Sequence, residues 1–394
     1  MKKILFVINT LGRAGAEKAL TELLKRLNDN KYEVYLYVIM GQGELIHDIP
    51  SHVRVLNSRY DDSSVLTAAG RHQMAKKVCG AFFRNGSLFK KTGLLIKNMI
   101  VMAKNRRFSA DKLLWRILSE GAQRFDISFD LAVAWLEGAS AYYVAEYVKA
   151  GKKVVFIHID YESAGYTREL DQGCYEDYDK IYTVSEEVRS HFLAFYPEYE
   201  GKTDVFHNII NKEEILRKAG EGGGFADGYE GFRILSVGRL TWQKAYDVAI
   251  EAMKILKDKE YQIRWYVLGE GDQRKKLEKK IKKLDLQDDF RLLGAVDNPY
   301  PYYVQTDLYV QAGRYEGKSI AIQEAQVLGC AVIASDRSGN REQIVDGEDG
   351  MLCELSPEAV AENVEKLYRD EEKRRAFKKA VQLKNLSGSH EFFF

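Results

Sequence analysis

The chain has 394 residues, of which 45% are hydrophobic and 30% are charged, and 59 Lys and Arg stand against 58 Asp and Glu. This composition is typical of a globular protein, and the length predicts two or three domains. The formal net charge of +1 gives no reason to expect a strongly acidic or basic partner. The sequence contains no run of eighteen apolar residues, so no transmembrane helix is expected.

The N-terminus "MKKILFVINTLG" has an apolar run of about seven residues, and a charged amphipathic stretch follows it. This pattern favours a buried first strand over an export signal. Four cysteines, Cys79, Cys174, Cys330 and Cys353, lack CxxC spacing. We therefore expect reduced thiols in a cytoplasmic protein and no zinc site.

Seven apolar runs in the first half of the chain predict β-strands, and helical patterns such as "AEKALTELLKRLND" separate several of them. The runs are "KILFVIN", "YEVYLYVIM", "VRVLN", "LAVAWLEG", "KVVFIHI", "KIYTVS" and "TDVFHN". They are rich in β-branched and aromatic residues, as expected of parallel strands that are buried on both faces. Residues 1–212 are therefore predicted to form a doubly wound α/β domain.

A glycine-rich stretch, "KAGEGGGFADGYEG", has little apolar content and predicts a linker over residues 213–231. Six further strands are predicted after it: "RILSVGRL", "IRWYVLGEG", "FRLLGA", "DLYVQAG", "AVIASD" and "GMLCE". We expect a second doubly wound domain over residues 232–380, facing the first across a cleft. Ligands of such sheets bind beyond the carboxyl ends of the strands.

Glycines and cations follow some of these predicted strands. Gly12 and Gly15 precede the first helix, a geometry that can bind phosphate or simply form a tight turn. The glycines do not complete a GxGxxG pattern, so the dinucleotide interpretation is weak. In "SVGRLTWQKAYD", Arg239 and Lys244 share one loop, where they can straddle a diphosphate or remain solvated surface cations.

Two carboxylates flank the start of a predicted helix in "GRYEGKSIAIQEA". Glu316 directly precedes Gly317, and Glu324 lies eight residues after Glu316. The N–H groups of residues 317–320 are expected to open this helix, where the helix dipole attracts anions, and Gly317 lets a ligand approach the backbone. The alternative is an ordinary N-terminal helix charge together with a surface glutamate.

Seven segments, in their order and spacing, resemble the family 4 retaining glycosyltransferases of the GT-B fold, the type that makes bacterial capsule, exopolysaccharide and cell-envelope glycans. The segments are "GRAGAEKAL", "YDKIYTVSEEVRSHF", "VFHNIIN", "SVGRLTWQKAYDVAIEAM", "VLGEGDQRKKLE", "GRYEGKSIAIQEA" and "SGNREQIVDGEDGMLCE". The resemblance covers nearly the whole chain. It implies two Rossmann-like domains, an acceptor domain followed by a nucleotide-sugar donor domain, with residues 381–394 as the start of a C-terminal crossover segment that stops early.

The resemblance also implies roles for single residues in binding a nucleotide-diphosphate sugar. Arg239 and Lys244 would neutralise the diphosphate as the glycosidic bond breaks. Glu316 would bind hydroxyls of the transferred sugar, and Glu324 would bind the ribose. Further donor contacts are implied for Gly15, Gly269, Leu293, Gly317, Lys318, Ser319 and Ile320.

On the acceptor side, the resemblance implies His158 beside the reacting sugar, although a lone histidine is as often structural. Glu137 in "AWLEGAS" ends a neighbouring predicted strand, and from this position we expect a further acceptor contact. The catalytic set would then be Glu316, His158, Arg239 and Lys244. The "DYD" run at residues 177–179 precedes a predicted strand at its amino end, so we expect no metal site there and no other cofactor.

The implied activity is that of a hexosyltransferase that uses a nucleotide-diphosphate sugar, with UDP expected, and a lipid-linked or polysaccharide acceptor. A sugar-nucleotide epimerase on the same fold is the enzymatic alternative. A catalytically degenerate partner subunit of another transferase is the non-enzymatic alternative, which the intact set of Arg239, Lys244, Glu316 and Glu324 disfavours.

Residues 63–119 carry twelve Lys and Arg against the single Asp111, a balance of +11. Apolar and aromatic residues interleave with them at helical spacing, as in helices that lie on anionic lipid headgroups. Helices packed on the sheet with a solvated basic face are the alternative, and no nucleic-acid recognition motif accompanies the charge. We expect a cytoplasmic protein that contacts the inner face of the cell membrane through this segment, and no nucleic-acid partner.

Overall fold

The computed structural model describes residues 1–27, 30–65, 67–106, 108, 110–171, 173–337 and 339–384. The chain divides into two compact units, Met1–His207 and Asn208–Phe394. Within the part of the chain that the structure describes, no helix is both long enough and apolar enough to cross a membrane.

Seven parallel strands form the sheet of the first unit. They are β1 (Lys2–Ile8), β2 (Tyr32–Val38), β3 (Arg54–Val55), β4 (Ser128–Ala134), β5 (Lys149–Ile157), β6 (Lys180–Thr183) and β7 (Thr203–Val205), in the order β3-β2-β1-β4-β5-β6-β7. The helices are α1 (Gly15–Arg26), α2 (Ala68–Phe83), α3 (Ser87–Lys104), α4 (Ala110–Glu120), α5 (Ala139–Tyr147), α6 (Arg168–Asp171) and α7 (Glu186–Phe195). Successive residues of β1 are fully buried, because helices cover both faces of the sheet.

Six parallel strands form the sheet of the second unit. They are β8 (Phe232–Val237), β9 (Ile263–Leu268), β10 (Phe290–Gly294), β11 (Leu308–Gln311), β12 (Val332–Ser335) and β13 (Met351–Cys353), in the order β10-β9-β8-β11-β12-β13. The helices are α8 (Lys212–Ala219), α9 (Tyr246–Asp258), α10 (Arg274–Lys283), α11 (Tyr300–Val304), α12 (Ile320–Val327), α13 (Pro357–Arg369) and α14 (Glu371–Leu383). Neighbouring residues of β8, Ile234 and Leu235, belong to separate apolar clusters on the two faces of the sheet.

The thirteen predicted strands are confirmed, seven in the first sheet and six in the second. Each sheet starts near its centre, grows towards one edge and then resumes on the other side of its first strand. This is the order of a doubly wound fold, in which ligands bind where the direction of growth reverses. In the first sheet the reversal lies between β1 and β4, and in the second it lies between β8 and β11.

The predicted linker over residues 213–231 begins with a helix. Helix α8 forms because the side chain of Asn211 accepts a hydrogen bond from the Glu214 N–H at 3.1 Å, and because Ile215 is buried. This helix packs against α11 and α12, so it belongs to the second unit. Non-helical chain occupies only residues 220–231. Of the predicted crossover segment, residues 385–394 lie outside the described residues.

The basic segment at residues 63–119 folds mainly into α2, α3 and α4. Not all of its cations face solvent. Lys112 is fully buried and lies 2.7 Å from a carboxylate oxygen of Asp171, and the buried Arg116 donates to Glu146 at 2.8 Å. Helix α4 therefore uses its cations to pack onto the first unit. Among the described residues, the surface charge of the segment comes from α2, α3, Arg84 and Arg106.

Candidate functional site

The topology of the second unit brings the predicted cations and carboxylates to the same edge of the sheet. All six strands run parallel, so their carboxyl ends share this edge. Arg239 and Lys244 lie in the loop after β8, and Glu316 lies in the loop after the neighbouring strand β11. These loops flank the position where the direction of sheet growth reverses.

Lys244 and Glu316 form an ion pair, with 2.7 Å between Nζ and Oε1. The same carboxylate oxygen accepts a second hydrogen bond from Gln311 Nε2 at 3.1 Å. The side chains of Lys244 and Glu316 are only 14% and 6% exposed. Gly313 makes room for the carboxylate, since a Cβ at that position would lie 2.7 Å from Oε1. The charged pair is thus held in one position before any ligand is added.

The two loops that carry this pair are also tied to each other. The Arg314 N–H donates to the Gln243 carbonyl oxygen at 2.7 Å, and Gln243 Nε2 donates to the Tyr315 carbonyl oxygen at 2.9 Å. The guanidinium of Arg314 forms two hydrogen bonds with the carboxylate of Asp247, at 3.0 and 2.7 Å. These contacts fix the loop after β8 against the loop after β11, so the distance between Lys244 and Glu316 does not depend on their ion pair alone.

Arg239 differs from Lys244 in its surroundings. Its side chain is exposed, and no hydrogen bond or ion pair joins it to another residue among those that the structure describes. Its guanidinium can therefore turn towards an anion without breaking an existing contact. A planar guanidinium suits the paired oxygens of a diphosphate.

Helix α12 begins at Ile320, with Ser319 as the N-cap residue. Of the four residues predicted to open the helix, only Ile320 lies within it, and Gly317 and Lys318 belong to the preceding loop. Gly339 packs against this loop so closely that a Cβ there would lie 1.9 Å from the Gly317 carbonyl oxygen. Burial lowers the pKa of Lys318 below its usual range.

Glu324, in the middle of α12, is 3% exposed and accepts hydrogen bonds on both carboxylate oxygens. The Tyr300 hydroxyl donates to Oε1 at 3.1 Å, and the Tyr303 hydroxyl donates to Oε2 at 3.3 Å. Glu324 is therefore not a surface glutamate. Each carboxylate oxygen can accept more than one hydrogen bond, so the tyrosines leave acceptor capacity for a further hydroxyl.

The loops after β9 and β10 lie at the same edge of the sheet. The Gly269 N–H donates to the Gly294 carbonyl oxygen at 2.8 Å, and the side chain of Leu293 is 40% exposed there. Gly269 has a φ of +150°, and a Cβ on it would lie 2.0 Å from the Gly238 carbonyl oxygen. Glycine is required at this position because the backbone of the loop after β8 passes directly over it.

In the first unit, Gly15 is the exposed first residue of α1, in the loop after β1. Trp135, which follows β4, donates from Nε1 to the Ala16 carbonyl oxygen at 2.7 Å. The start of α1 is thus held against the end of β4, on the two sides of the reversal point of this sheet. The structure therefore brings the region of Gly15 close to the loop that carries Glu137.

Glu137 and His158 follow adjacent strands and are in direct contact. The His158 N–H donates to Glu137 Oε2 at 2.9 Å. Burial raises the pKa of the Glu137 carboxyl group. Burial also lowers the pKa of His158 to about 3, against the effect of a hydrogen bond to the Trp135 backbone. The imidazole is therefore neutral at pH 7, and its Nε2 atom has no hydrogen-bond partner among the described residues.

Asp179 precedes β6, at the amino end of the strand and so at the edge opposite to His158. Its carboxylate accepts a hydrogen bond from the Lys153 N–H at 2.7 Å. This bond joins the start of β6 to the neighbouring strand β5. The predicted position of the "DYD" run is confirmed.

Sequence reasoning missed the residues that hold the site together: Gln243, Gln311, Tyr300, Tyr303, Gly313 and Arg314. Gln311 carried a weak signal, because it is a polar residue at the end of a strand that is otherwise apolar. The others had none, since their roles depend on contacts between segments that are far apart along the chain, such as the pair Gln243 and Tyr315, which are 72 positions apart.

Part of the chain resembles known proteins in sequence. Its residues 229–384 match the family described as "Glycosyl transferases group 1". The chain is 34% identical over 179 residues to a Campylobacter jejuni N-acetylgalactosamine-N,N'-diacetylbacillosaminyl-diphospho-undecaprenol 4-alpha-N-acetylgalactosaminyltransferase; the match covers 45% of this chain and 47% of that protein. This match, and those to two further curated relatives, span about half the length or less of each relative.

Solved structures cover the chain more completely. HepE of Anabaena, in complex with UDP and glucose, aligns with a TM-score of 0.65 at 16% identity, over 97% of this chain and 94% of that one. A variant of Staphylococcus aureus TarM, in complex with fondaparinux, alpha-GlcNAc-glycerol and UDP, aligns with a TM-score of 0.66 at 13% identity, over 97% and 96%.

The fold is that of the GT-B glycosyltransferases, with a doubly wound parallel sheet in each unit. The second unit, which contains Arg239, Lys244, Glu316 and Glu324, matches the group 1 glycosyl transferases over residues 229–384. The narrower assignment to retaining family 4 stays a prediction.

Proposed function

We propose that the protein transfers a sugar from a UDP-sugar to a hydroxyl group of a lipid-linked or polysaccharide acceptor in bacterial envelope glycan synthesis, with retention of anomeric configuration. The observation that carries the proposal is the fixed pair of Lys244 and Glu316, with the exposed Arg239 in the same loop as Lys244. Retention is proposed from the resemblance to family 4. The reaction would take place at the cytoplasmic face of the membrane.

The second unit would bind the donor. Breaking the glycosidic bond builds negative charge on the diphosphate, so cations that are already in place stabilise the transition state more than the ground state. Lys244 would share its ammonium between Glu316 and a phosphate oxygen, and Arg239 would bind as a fork. Glu316, whose second oxygen is not used by Lys244, would accept a hydrogen bond from the transferred sugar.

The nucleoside would lie along the loops after β9, β10 and β11. Glu324 would accept a hydrogen bond from the ribose, and the exposed side chain of Leu293 would contact the base. The backbone N–H groups of residues 317–320 would contribute further donors to phosphate or sugar oxygens, with the help of the α12 dipole. The choice of uracil is supported by the structural neighbours, since HepE and TarM are described in complexes with UDP.

The first unit would bind the acceptor. A neutral His158 cannot hold an anion, but its Nε2 can form a hydrogen bond with a sugar hydroxyl. Glu137, which is buried, positions the His158 backbone and lies in the loop after β4, where we propose that the acceptor binds. A lipid-linked acceptor is supported by the Campylobacter jejuni relative, whose name specifies a diphospho-undecaprenol substrate.

A panel of nucleotide sugars tests the proposal. We expect one UDP-sugar to raise the melting temperature, because a ligand at a hundred times its Kd stabilises the native state by about 2.7 kcal/mol. With a glycan or lipid-linked acceptor, the same donor should yield free UDP and a glycoside of unchanged anomeric configuration. An epimerised nucleotide sugar as the product, or no response to any nucleotide sugar, contradicts the proposal.

We further propose that no metal ion is needed, because Arg239 and Lys244 supply the positive charge at the diphosphate. Among the described residues, no group of three or more His, Cys, Asp or Glu side chains is arranged to hold a metal ion. Turnover is therefore expected to be the same with and without excess EDTA. Loss of turnover in EDTA, followed by recovery on addition of Mg²⁺ or Mn²⁺, would show that the proposal is wrong.

A further inference from the structure

Helix α3 exposes a continuous row of apolar side chains. Phe89 is 84% exposed, Ile96 54%, Met99 56% and Ile100 63%. In an α-helix these positions, with Gly93 and Ala103 between them, lie on one face about 120° wide. Large exposed apolar patches of this kind mark interaction surfaces.

The opposite face of α3 holds the helix on the first unit. Asn98 and Met102 on that face are buried, and the helix packs against α2 and α4. Helix α4 is in turn fixed by the buried pair of Lys112 and Asp171. The exposed row therefore belongs to a helix whose other face is already packed on the first unit. The helix could bury the row against the first unit only by rotating and exposing the residues that are now packed.

Basic residues border the exposed row. Lys90, Lys97 and Lys104 follow one another at seven-residue intervals, so they line one side of it, and all three are exposed. Lys90 is 62% exposed although it lies 3.2 Å from Glu120. An apolar face bordered by lysines on a helix is the arrangement that lies in the interface of a membrane.

We propose that α3 docks on an anionic lipid surface, with the row formed by Phe89, Ile96, Met99 and Ile100 inserted below the headgroups and the three lysines at headgroup level. The inference is independent of the proposed transfer reaction. It concerns the attachment of the protein to a membrane, whereas the proposed transfer reaction depends on the candidate donor residues of the second unit.

The charge of the surrounding surface favours lipid over a second copy of this chain. Residues 63–106 contain nine Lys and Arg and no Asp or Glu. In a symmetric dimer built on this face, lysines would lie close to lysines, which is unfavourable. An anionic bilayer offers both an apolar interior and a continuous negative surface, so it matches both features of α3.

Co-sedimentation with vesicles, in the absence of any nucleotide sugar, tests the inference. The 394-residue chain is expected to bind phosphatidylglycerol-containing vesicles and not vesicles of phosphatidylcholine alone. Binding should weaken between 0.1 and 1 M salt, as the Debye length falls from about 10 to about 3 Å. Equal binding to both kinds of vesicle, or binding to neither, overturns the proposal.

Two triple variants separate charge from apolar insertion. The variant Lys90→Gln, Lys97→Gln, Lys104→Gln should weaken binding about fivefold per lysine at low salt, or about a hundredfold together. The variant Ile96→Ser, Met99→Ser, Ile100→Ser should lose the binding that persists in high salt. Because all six side chains are exposed, both variants should melt near the wild-type temperature.

A matched control removes the same charge elsewhere. Lys275, Lys276 and Lys279 are exposed on α10 of the second unit, and their replacement by Gln should leave vesicle binding unchanged. If this control weakens binding as much as the α3 lysine variant does, the attraction is not specific to α3 and the proposal fails. It also fails if the wild type is a dimer in solution that the apolar variant dissociates, since the row would then be a contact between copies.

Discussion

Replacing Arg239 with alanine should lower kcat/KM by about 10²-fold or more, the effect expected when one preorganised charge-stabilising group is lost. The melting temperature should not change, because the side chain is exposed and has no partner among the described residues. Initial rates with the donor identified by the nucleotide-sugar panel, together with a melting curve, provide the measurement. A loss of rate without a loss of stability would be specific to ligand binding.

Lys244→Ala should lose activity to a similar extent and, unlike Arg239→Ala, should also lose stability. The substitution leaves the carboxylate of Glu316, whose side chain is 6% exposed, with the neutral Gln311 as its remaining polar partner. An unpaired buried charge is costly. Lys275→Ala, on the exposed surface of α10, serves as the matched control and should change neither quantity. Normal turnover by Arg239→Ala would show that the diphosphate does not bind at this loop.

The largest effect on stability is expected from Lys112→Met in the first unit. Lys112 and Asp171 are both completely buried, 2.7 Å apart, and the ammonium lies 3.6 Å from the centre of the Tyr166 ring. Removal of one partner from such a pair typically costs about 3–5 kcal/mol, because the Asp171 carboxylate stays buried without its counter-ion and keeps only a neutral donor, the Tyr142 hydroxyl. For a unit of this size the melting temperature should fall by about 6–20 °C.

An exposed ion pair of the same unit provides the comparison. Lys149 and Asp126 lie 3.1 Å apart, with side chains that are 72% and 98% exposed. Lys149→Met should cost at most about 1 kcal/mol. The double variant Lys112→Met, Asp171→Leu should recover much of the lost stability, since it removes both charges of the pair. If Lys112→Met melts at the wild-type temperature, the pair does not hold α4 in place as we describe.

The strands could be predicted because each is a short apolar run that is buried on both faces of a sheet, a property that depends on local composition. The same reasoning could not predict which charged side chains of residues 63–119 are buried and which face solvent. Helical spacing indicates that one face is buried, but it does not say that Lys112 and Arg116 lie on that face with Asp171 and Glu146 as partners. Those partners come from segments 59 and 30 residues away.

The candidate donor residues could be placed at one edge of the sheet because their loops follow predicted strands, and the carboxyl ends of parallel strands meet at one edge. The side chains that contact these residues could not be predicted. Gln311, Gln243 and Arg314 act through contacts that only the packed loops create. Helix α8, at the start of the predicted linker, could have been predicted from the sequence, because Asn211 is a good N-cap residue. The glycines that follow the helix led to the prediction of a linker instead.

The four cysteines differ in a way that has a practical consequence. Cys174, Cys330 and Cys353 are buried, and burial raises the pKa of each thiol, to about 12 for Cys330 and Cys353. Such thiols are poorly reactive. Cys79 is exposed on α2, which packs against α3. A maleimide fluorophore should therefore attach at Cys79 in the native protein without any mutation, which provides a single reporter beside the helix face whose contact with lipid is in question.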